Sequence, residues 1–300
     1  MAEPLLCYSR REGKVVQEKI LGDRLLRLAY SCPLRYLLGW PLFYASFCSR
    51  LMGWFADRPS SAKRIEKTIR ELDIEMDDYE IPPEGYRTFN EFFIRQLKPG
   101  RRPFAEEGFC SPADCRMTVF PQLTAERCIP VKGAEFTVAQ LLGKEGADIA
   151  GRFANGSLCV ARLCPADYHR FHFPADGRLI RHWRIKGRYH TVSPIALTKG
   201  LDIFPHNVRE VSLLDLGQWG LCAYIEVGAF GVASITQTFV GTEFRKGEEK
   251  GYFSFGGSTV ILVFEPQKIV FAEDLRENSA TGREVILRAG DRLDDYIINN

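Results

Sequence analysis

Gly251-Tyr252-Phe253-Ser254-Phe255-Gly256-Gly257-Ser258-Thr259, running without a break into Val260-Ile261-Leu262-Val263-Phe264, decides how this chain is read. The apolar, partly β-branched run after Thr259 predicts a buried strand. Two adjacent glycines at its mouth tolerate positive φ and close backbone approach, so they can hold the peptide before Ser258 in a strained turn. A serine hydroxyl placed there can attack the carbonyl of the residue before it. Taken alone, the same residues also make a tight turn capped by Ser258 and Thr259. The rest of the chain has to separate the two readings.

Around this strand the pattern is mainly β. From Pro103 onward the runs Leu158–Leu163, Leu179–Ile185, Tyr189–Val192, Leu221–Val227 and Val232–Phe239 are separated by Gly, Asp or Pro. They predict strands, with hairpin turns at Lys186-Gly187 and Gly228-Ala229-Phe230-Gly231. One helix is expected from Thr137 to about Leu142, and a last strand over 284–290. Sequential strands of this kind imply an α+β fold with a mainly antiparallel β body. Upstream, Thr88 and Glu91 have capping-box spacing, and Phe89, Phe92, Phe93 and Leu97 form an apolar helical face. Residues 62–75 read as a charged helix facing solvent. The expected organisation is an amino-terminal helical region over 1–85 and a catalytic body over 86–300.

Composition fits a soluble globular chain of 300 residues, 45% hydrophobic and 26% charged. The net charge of +2 hides an asymmetry: residues 1–72 carry 13 Lys or Arg against 7 Asp or Glu, and the remainder 27 against 31. The basic residues Arg24, Arg27, Arg35 and Arg50 flank Leu, Trp and Phe over residues 21–56. That arrangement suits a helix lying on an anionic membrane surface better than one binding nucleic acid. The longest charge-free run, Tyr36 to Ser49, spans 14 residues and contains Pro41, too short to cross a bilayer. The alternative is that these helices simply pack on the body. Nine scattered cysteines with no C-x-x-C suggest buried thiols in a reducing compartment and no cysteine zinc site. Residues 1–14 lack an apolar core, so no secretory signal is read there.

Two further stretches could carry chemistry. Asp167-Tyr168-His169-Arg170-Phe171-His172 places two of the five histidines three apart, suited to proton transfer near neutral pH. An H-x-x-H pair can also bind a metal, but no third ligand stands at metal spacing, so no metal is expected. In Cys110-Ser111-Pro112-Ala113-Asp114-Cys115, Asp114 is either a turn residue or an acid that orients a base. No G-x-S-x-G elbow occurs, which disfavours an α/β-hydrolase.

Together these motifs, from Tyr86-Arg87-Thr88-Phe89-Asn90-Glu91-Phe92-Phe93 to the strand after Ser258, resemble phosphatidylserine decarboxylase proenzymes. The resemblance is to the bacterial branch with a Phe-Gly-Gly-Ser-Thr cleavage motif. It implies a self-cleaving enzyme. Asp114 would orient His172, and His172 would take the Ser258 proton as Ser258 attacks the Gly257 carbonyl. The chain would break between Gly257 and Ser258 into a β chain, 1–257, and an α chain, 258–300, headed by a covalent pyruvoyl group made from Ser258. That group would form a Schiff base with the substrate amine and accept electrons as carbon dioxide leaves. His169 would return the proton, yielding phosphatidylethanolamine in phospholipid biosynthesis.

The implied partners are phosphatidylserine, the anionic membrane, the α chain for its β chain, and a second copy in a homodimer; no nucleic acid is implied. The implied location is peripheral, on the cytoplasmic side of the cell membrane. Two positions depart from the family: Cys115 stands where glycine follows the aspartate, and Ala233 replaces a glycine in Val-Gly-Ser-Ile. If position 115 needed positive φ, cysteine there would cost on the order of 1 kcal/mol. Lys132, Asn207 and Arg209 lie in family-like motifs and suit structural roles equally well. The alternatives are a pyruvoyl enzyme acting on a soluble amino acid, and an uncleaved lipid-binding module.

Overall fold

A computed structural model describes residues 5–19, 46–123, 136–188, 203–229, 234–256 and 258–295. In chain order its strands are β1 (Leu6–Ser9), β2 (Lys14–Gln17), β3 (Cys115–Phe120), β4 (Ser157–Leu163), β5 (Arg170–His172), β6 (Gly177–Ile185) and β7 (Arg209–Asp215). They continue as β8 (Leu221–Gly228), β9 (Ile235–Gln237), β10 (Glu243–Phe244), β11 (Glu249–Phe253), β12 (Ser258–Phe264) and β13 (Glu284–Leu287). The helices are α1 (Ser46–Ala56), α2 (Ile65–Leu72), α3 (Phe89–Phe93), α4 (Val138–Leu142), α5 (Ile203–His206) and α6 (Glu273–Ala280).

Ten strands form one sheet in the order β10-β6-β7-β8-β12-β4-β3-β13-β1-β2; β5, β11 and β9 form a second. Every pair in the large sheet is antiparallel except β1 with β13. The strand predicted after Thr259 is the centre of this sheet. Along its whole length β12 pairs with β4 on one side and β8 on the other, and all seven of its residues are buried. On one face Val260, Leu262 and Phe264 pack with Phe171 and Phe253 of the second sheet. On the other, Ile261 and Val263 meet Ile225, Val211 and residues of α4. Burying the five apolar side chains from Val260 to Phe264 stabilises this placement by about 10 kcal/mol before entropy. A third cluster joins Ile65, Phe89, Phe92 and Phe93 to Phe255.

Several elements differ from the sequence reading. Lys186-Gly187 is not a hairpin turn: β6 pairs with β7, so the connection runs from Ile185 to Arg209. Gly187 is needed for close approach instead, since a Cβ there would lie 2.4 Å from the Asn207 carbonyl carbon. Tyr189–Val192 lies outside the described residues. Gly228 ends β8, but β9 belongs to the other sheet, so no hairpin joins them. The helix over 62–75 is shorter and amphipathic, with Ile65, Thr68 and Leu72 buried. Its charges occupy one face and its apolar residues dock on the body.

Residues 6–17 of the amino-terminal region are not helical. They form a hairpin whose first strand joins the body's sheet beside β13. Helix α1 leaves Leu51, Met52, Trp54 and Phe55 exposed, Trp54 at 55%, with the Arg58 guanidinium 4.0 Å from the Trp54 ring centroid. Among the described residues no helix is long and apolar enough to cross a membrane. Residues 20–45, the rest of the segment read as membrane-associating, lie outside the described residues.

Candidate active site

Ser258 is fully buried at the head of β12, opposite Leu163 of β4 and Gly228 of β8. Two residues earlier Gly256 has φ 143°, a conformation that disfavours any side chain. The predicted need for glycine before the serine is met there; Gly257 itself lies outside the described residues. The loop ahead of the strand is held by its backbone: Phe253 N–H donates to the His169 carbonyl at 3.0 Å and Ser254 N–H to Ser234 at 3.1 Å. Phe255 N–H donates to Asn90 Oδ1 at 2.9 Å.

The histidine in contact with Ser258 is His169. Its Nδ1 lies 3.2 Å from Ser258 Oγ, and its Nε2 lies 2.8 Å from the Cys164 carbonyl oxygen. A carbonyl can only accept, so Nε2 carries the proton and Nδ1 offers its lone pair to the serine hydroxyl. Phe93 of α3 stacks on the imidazole with ring centroids 3.9 Å apart. Burial, reinforced by the positive charge of Arg95, pushes the His169 pKa down to about 3. At neutral pH the ring is therefore an uncharged proton acceptor. Burial disfavours the imidazolium, and the nearby charges of Arg95 and Arg116 act in the same direction.

His172 and Asp114 occupy different settings. His172 Nδ1 donates to the Gly247 carbonyl at 3.0 Å, and its ring lies against Tyr168 and Phe104. Burial lowers its pKa, opposed by the Gly247 hydrogen bond and by the charges of Glu249 and Asp114. Asp114 is an electrostatic neighbour of His172, but its carboxylate is engaged by Arg102 at 2.7 Å and accepts the Ala289 N–H at 2.8 Å. Arg102 in turn reaches Asp78 at 2.8 Å. Ser258 and His169 are thus hydrogen-bonded, while His172 and Asp114 are each bonded to other groups.

Cys115 begins β3 in extended backbone, and it is not among the residues with positive φ. The substitution for glycine therefore carries no backbone strain. Ala233 and Lys132 lie outside the described residues. Asn207 Nδ2 donates to the Gly228 carbonyl at 2.8 Å, and the Arg209 guanidinium donates to the carbonyls of Leu141, Pro205, Asn207 and Gln140. Arg209 thus ties the α4 and α5 segments to the sheet, a structural role. The aromatic helix α3, whose capping spacing and apolar face the sequence shows, touches the site through Phe93 and Asn90. Thr88 Oγ1 caps it by accepting from Glu91 N–H at 3.0 Å, as the spacing predicts.

The profile described as phosphatidylserine decarboxylase matches residues 89–293. A phosphatidylserine decarboxylase proenzyme of Chlamydia trachomatis is 37% identical over 295 residues, 97% of each chain. One of Fusobacterium nucleatum is 35% identical over 294 residues, again 97% of each. Phosphatidylserine decarboxylase proenzyme 3 of Schizosaccharomyces pombe is 42% identical over 249 residues, 81% of this chain and 26% of that longer protein. The match over residues 89–293 and the two similarities that span 97% of each chain place it: the chain belongs to the phosphatidylserine decarboxylase family.

Proposed function

We propose that this chain is a self-processing decarboxylase that converts phosphatidylserine to phosphatidylethanolamine and carbon dioxide, using a pyruvoyl group made from Ser258. The single observation that carries the reading is the contact between Ser258 Oγ and the uncharged His169 Nδ1. A serine hydroxyl is a weak nucleophile until a positioned base accepts its proton. In the first step Ser258 Oγ bonds to the Gly257 carbonyl carbon and the Gly257–Ser258 C–N bond breaks. An ester links the two chains, and the proton passes to the freed amine. A base then takes the Ser258 Cα proton as the Cβ–O bond to the Gly257 carboxylate breaks, and the dehydroalanine that results takes up water and releases ammonia to leave the ketone.

By the family resemblance, Asp114 and His172 form the relay that takes the Ser258 proton, and His169 serves the later protonation. The 3.2 Å contact favours a second reading, in which His169 takes the Ser258 proton as well. The residues fit the pyruvoyl group: the serine to be converted is buried, at a strand head, beside the acceptor nitrogen of an imidazole on which Phe93 stacks. Once formed, the group supplies an electron sink for the pair left when carbon dioxide departs. His169 holds a proton donor or acceptor at that position, fully buried with Phe93 stacked on its ring. The exposed Leu51, Trp54 and Phe55 on α1, with Arg58 and Arg64 over two of their rings, suit an anionic bilayer that presents the lipid headgroup. After cleavage the α chain would keep β12 and β13 within the β chain's sheet.

Intact mass spectrometry of the denatured protein tests the reading. Two chains divided between Gly257 and Ser258, the smaller headed by a borohydride-reducible ketone, and carbon dioxide release from phosphatidylserine vesicles are expected. A single 34.1 kDa chain after long incubation with those vesicles would overturn it.

A further inference from the structure

His169 is useful to Ser258 only in one tautomer, and the group that selects it is the Cys164 carbonyl. That carbonyl belongs to the turn Cys164-Pro165-Ala166-Asp167, where it also accepts the Asp167 N–H at 2.9 Å. The Asp167 carboxylate closes the turn from the other side by accepting the Cys164 N–H at 2.7 Å. The carboxylate is in turn gripped by the Arg116 guanidinium. Arg116 Nε lies 3.1 Å from Glu18, a carboxylate with 1% side-chain exposure, which also accepts the Cys164 thiol and pairs with Arg162 at 2.9 Å. On the remaining side, Arg95 donates to the Ala166 and Asp167 carbonyls at 2.7 and 3.0 Å. None of these groups touches Ser258.

We propose that Asp167 is a positioning residue for the proton chemistry at Ser258: anchored by Arg116 and Glu18, it aims the Cys164 carbonyl at His169 Nε2 and so keeps the Nδ1 lone pair on the serine. The arrangement does the work of the aspartate in a Ser–His–Asp triad, which holds the base in the correct tautomer and orientation. Here the carboxylate acts one step removed, through a main-chain carbonyl. That carbonyl cannot be removed by substitution, so the turn's carboxylate is the point at which the device can be altered. Glu18 follows β2, so the amino-terminal hairpin closes the device from the far edge of the sheet. The inference rests on the reading that His169 serves Ser258 or the ketone made from it, and it applies to whichever of the two steps uses His169.

The test measures both tautomer and turnover. In the mature enzyme, nitrogen-15 NMR of its five histidines, with His169→Ala for assignment, should show His169 protonated on Nε2 alone. In Asp167→Asn the His169 signals should shift toward a mixture of tautomers. The His169-dependent step, counted per pyruvoyl group, should slow by about 10- to 100-fold, the usual effect of losing a residue that orients an active group. Glu18→Gln should shift both readouts in the same direction but less.

A merely structural Asp167 would lower soluble yield or Tm and leave the tautomer and per-site turnover of the folded fraction unchanged; that result overturns the inference. If Asp167→Asn does not fold, Glu18→Gln decides by the same criteria, and a wild-type His169 protonated on Nδ1 overturns the inference outright. A His169→Ala enzyme that cleaves and decarboxylates at the wild-type rate would instead overturn the reading on which it rests.

Discussion

Replacing His169 by alanine separates the two accounts of self-cleavage. The wild-type acceptor nitrogen sits 3.2 Å from Ser258 Oγ, within reach of direct proton transfer. With its pKa pushed down to about 3, the ring is in its base form at any pH near neutrality. Removing a positioned base costs about 100-fold or more in rate, or roughly 2.7 kcal/mol of barrier. His172 is the alternative acceptor. Its Nδ1–H donates to the Gly247 carbonyl at 3.0 Å, which leaves Nε2 as its acceptor; turning Nδ1–H to Asp114, as the relay requires, would give up that bond, worth about 1 kcal/mol, or roughly a fivefold loss of population. Orienting it through Asp114 costs more, because that carboxylate would have to loosen its charge-assisted bonds to Arg102, each about 1.5–3 kcal/mol.

The contact therefore predicts that His169→Ala slows maturation at least about 100-fold, and that it slows maturation more than His172→Ala does. Precursor purified under denaturing conditions and refolded can be followed by intact mass as the 34.1 kDa chain gives way to the 43-residue fragment beginning at Ser258. Maturation of His169→Ala at the wild-type rate, with His172→Ala stalled, would refute this reasoning. It would give the proton to the Asp114–His172 relay and leave His169 only the decarboxylation step.

Four other outcomes are expected. Because the His169 pKa is depressed, the acceptor stays neutral on acidification: at pH 5 about 99% of it is in base form, against about 3% for an ordinary histidine. Refolded precursor should accordingly mature at a nearly constant rate between pH 5 and 8, and a fall through pH 6.5 would contradict a buried neutral base. By the same sign, the unfolded chain binds a proton at His169 that the folded chain refuses, so this residue lowers stability as pH falls from about 6.5 toward 3, readable as a declining urea midpoint. On the surface, Trp54→Glu with Phe55→Glu should weaken flotation with phosphatidylserine vesicles while leaving maturation unchanged; undiminished flotation would place membrane contact elsewhere. Finally, the α and β chains should remain together on gel filtration until the whole sheet unfolds in urea. Release of the 43-residue chain before that transition would refute a shared core.

The sequence made the centre of the fold legible because β12 is a continuous apolar run with glycines at its mouth, a pattern that fits only a buried strand entered by a special turn. Strands β4, β6 and β8 were legible as shorter runs bounded by Gly, Asp or Pro, although β6 carries three arginines and is mostly half-buried or exposed. The Ile185–Arg209 connection was not: Lys186-Gly187 imitates a turn, and the reason for Gly187, packing on Asn207, exists only after folding. The β1–β2 hairpin was also hidden, since each strand has four residues and no continuous apolar face. At the site, Ser258 and His169 stood out because glycine pairs and histidines are scarce. Asp167 lay in a quoted motif without a role because its partner Arg116, and Glu18 behind Arg116, are distant in sequence. They meet it only through the β3-β13-β1 order of the sheet. Periodicity reports which face of a strand is buried; it does not report which strands become neighbours.

That order also bears on why a chain could be cut beside a fully buried strand and remain an enzyme. In the proposed reaction the broken bond lies just before Ser258, whereas the β12 ladder runs from Ser258 to Phe264 against strands that both belong to the β chain. Cleavage removes a connection and leaves every rung in place. The second segment of the short chain, β13, is gripped between β3 and β1, so the fragment is held at two separated points of one sheet. The reacting position comes from the carboxy-terminal piece, and His169, His172, Asp114 and Asp167 all come from the amino-terminal piece. The residue to be converted therefore stays against its proton partner only because the sheet holds it there. In that proposed reaction the hydrophobic burial of β12 would serve catalysis directly, by fixing the distance between Ser258 and His169 after the covalent link between their chains is gone.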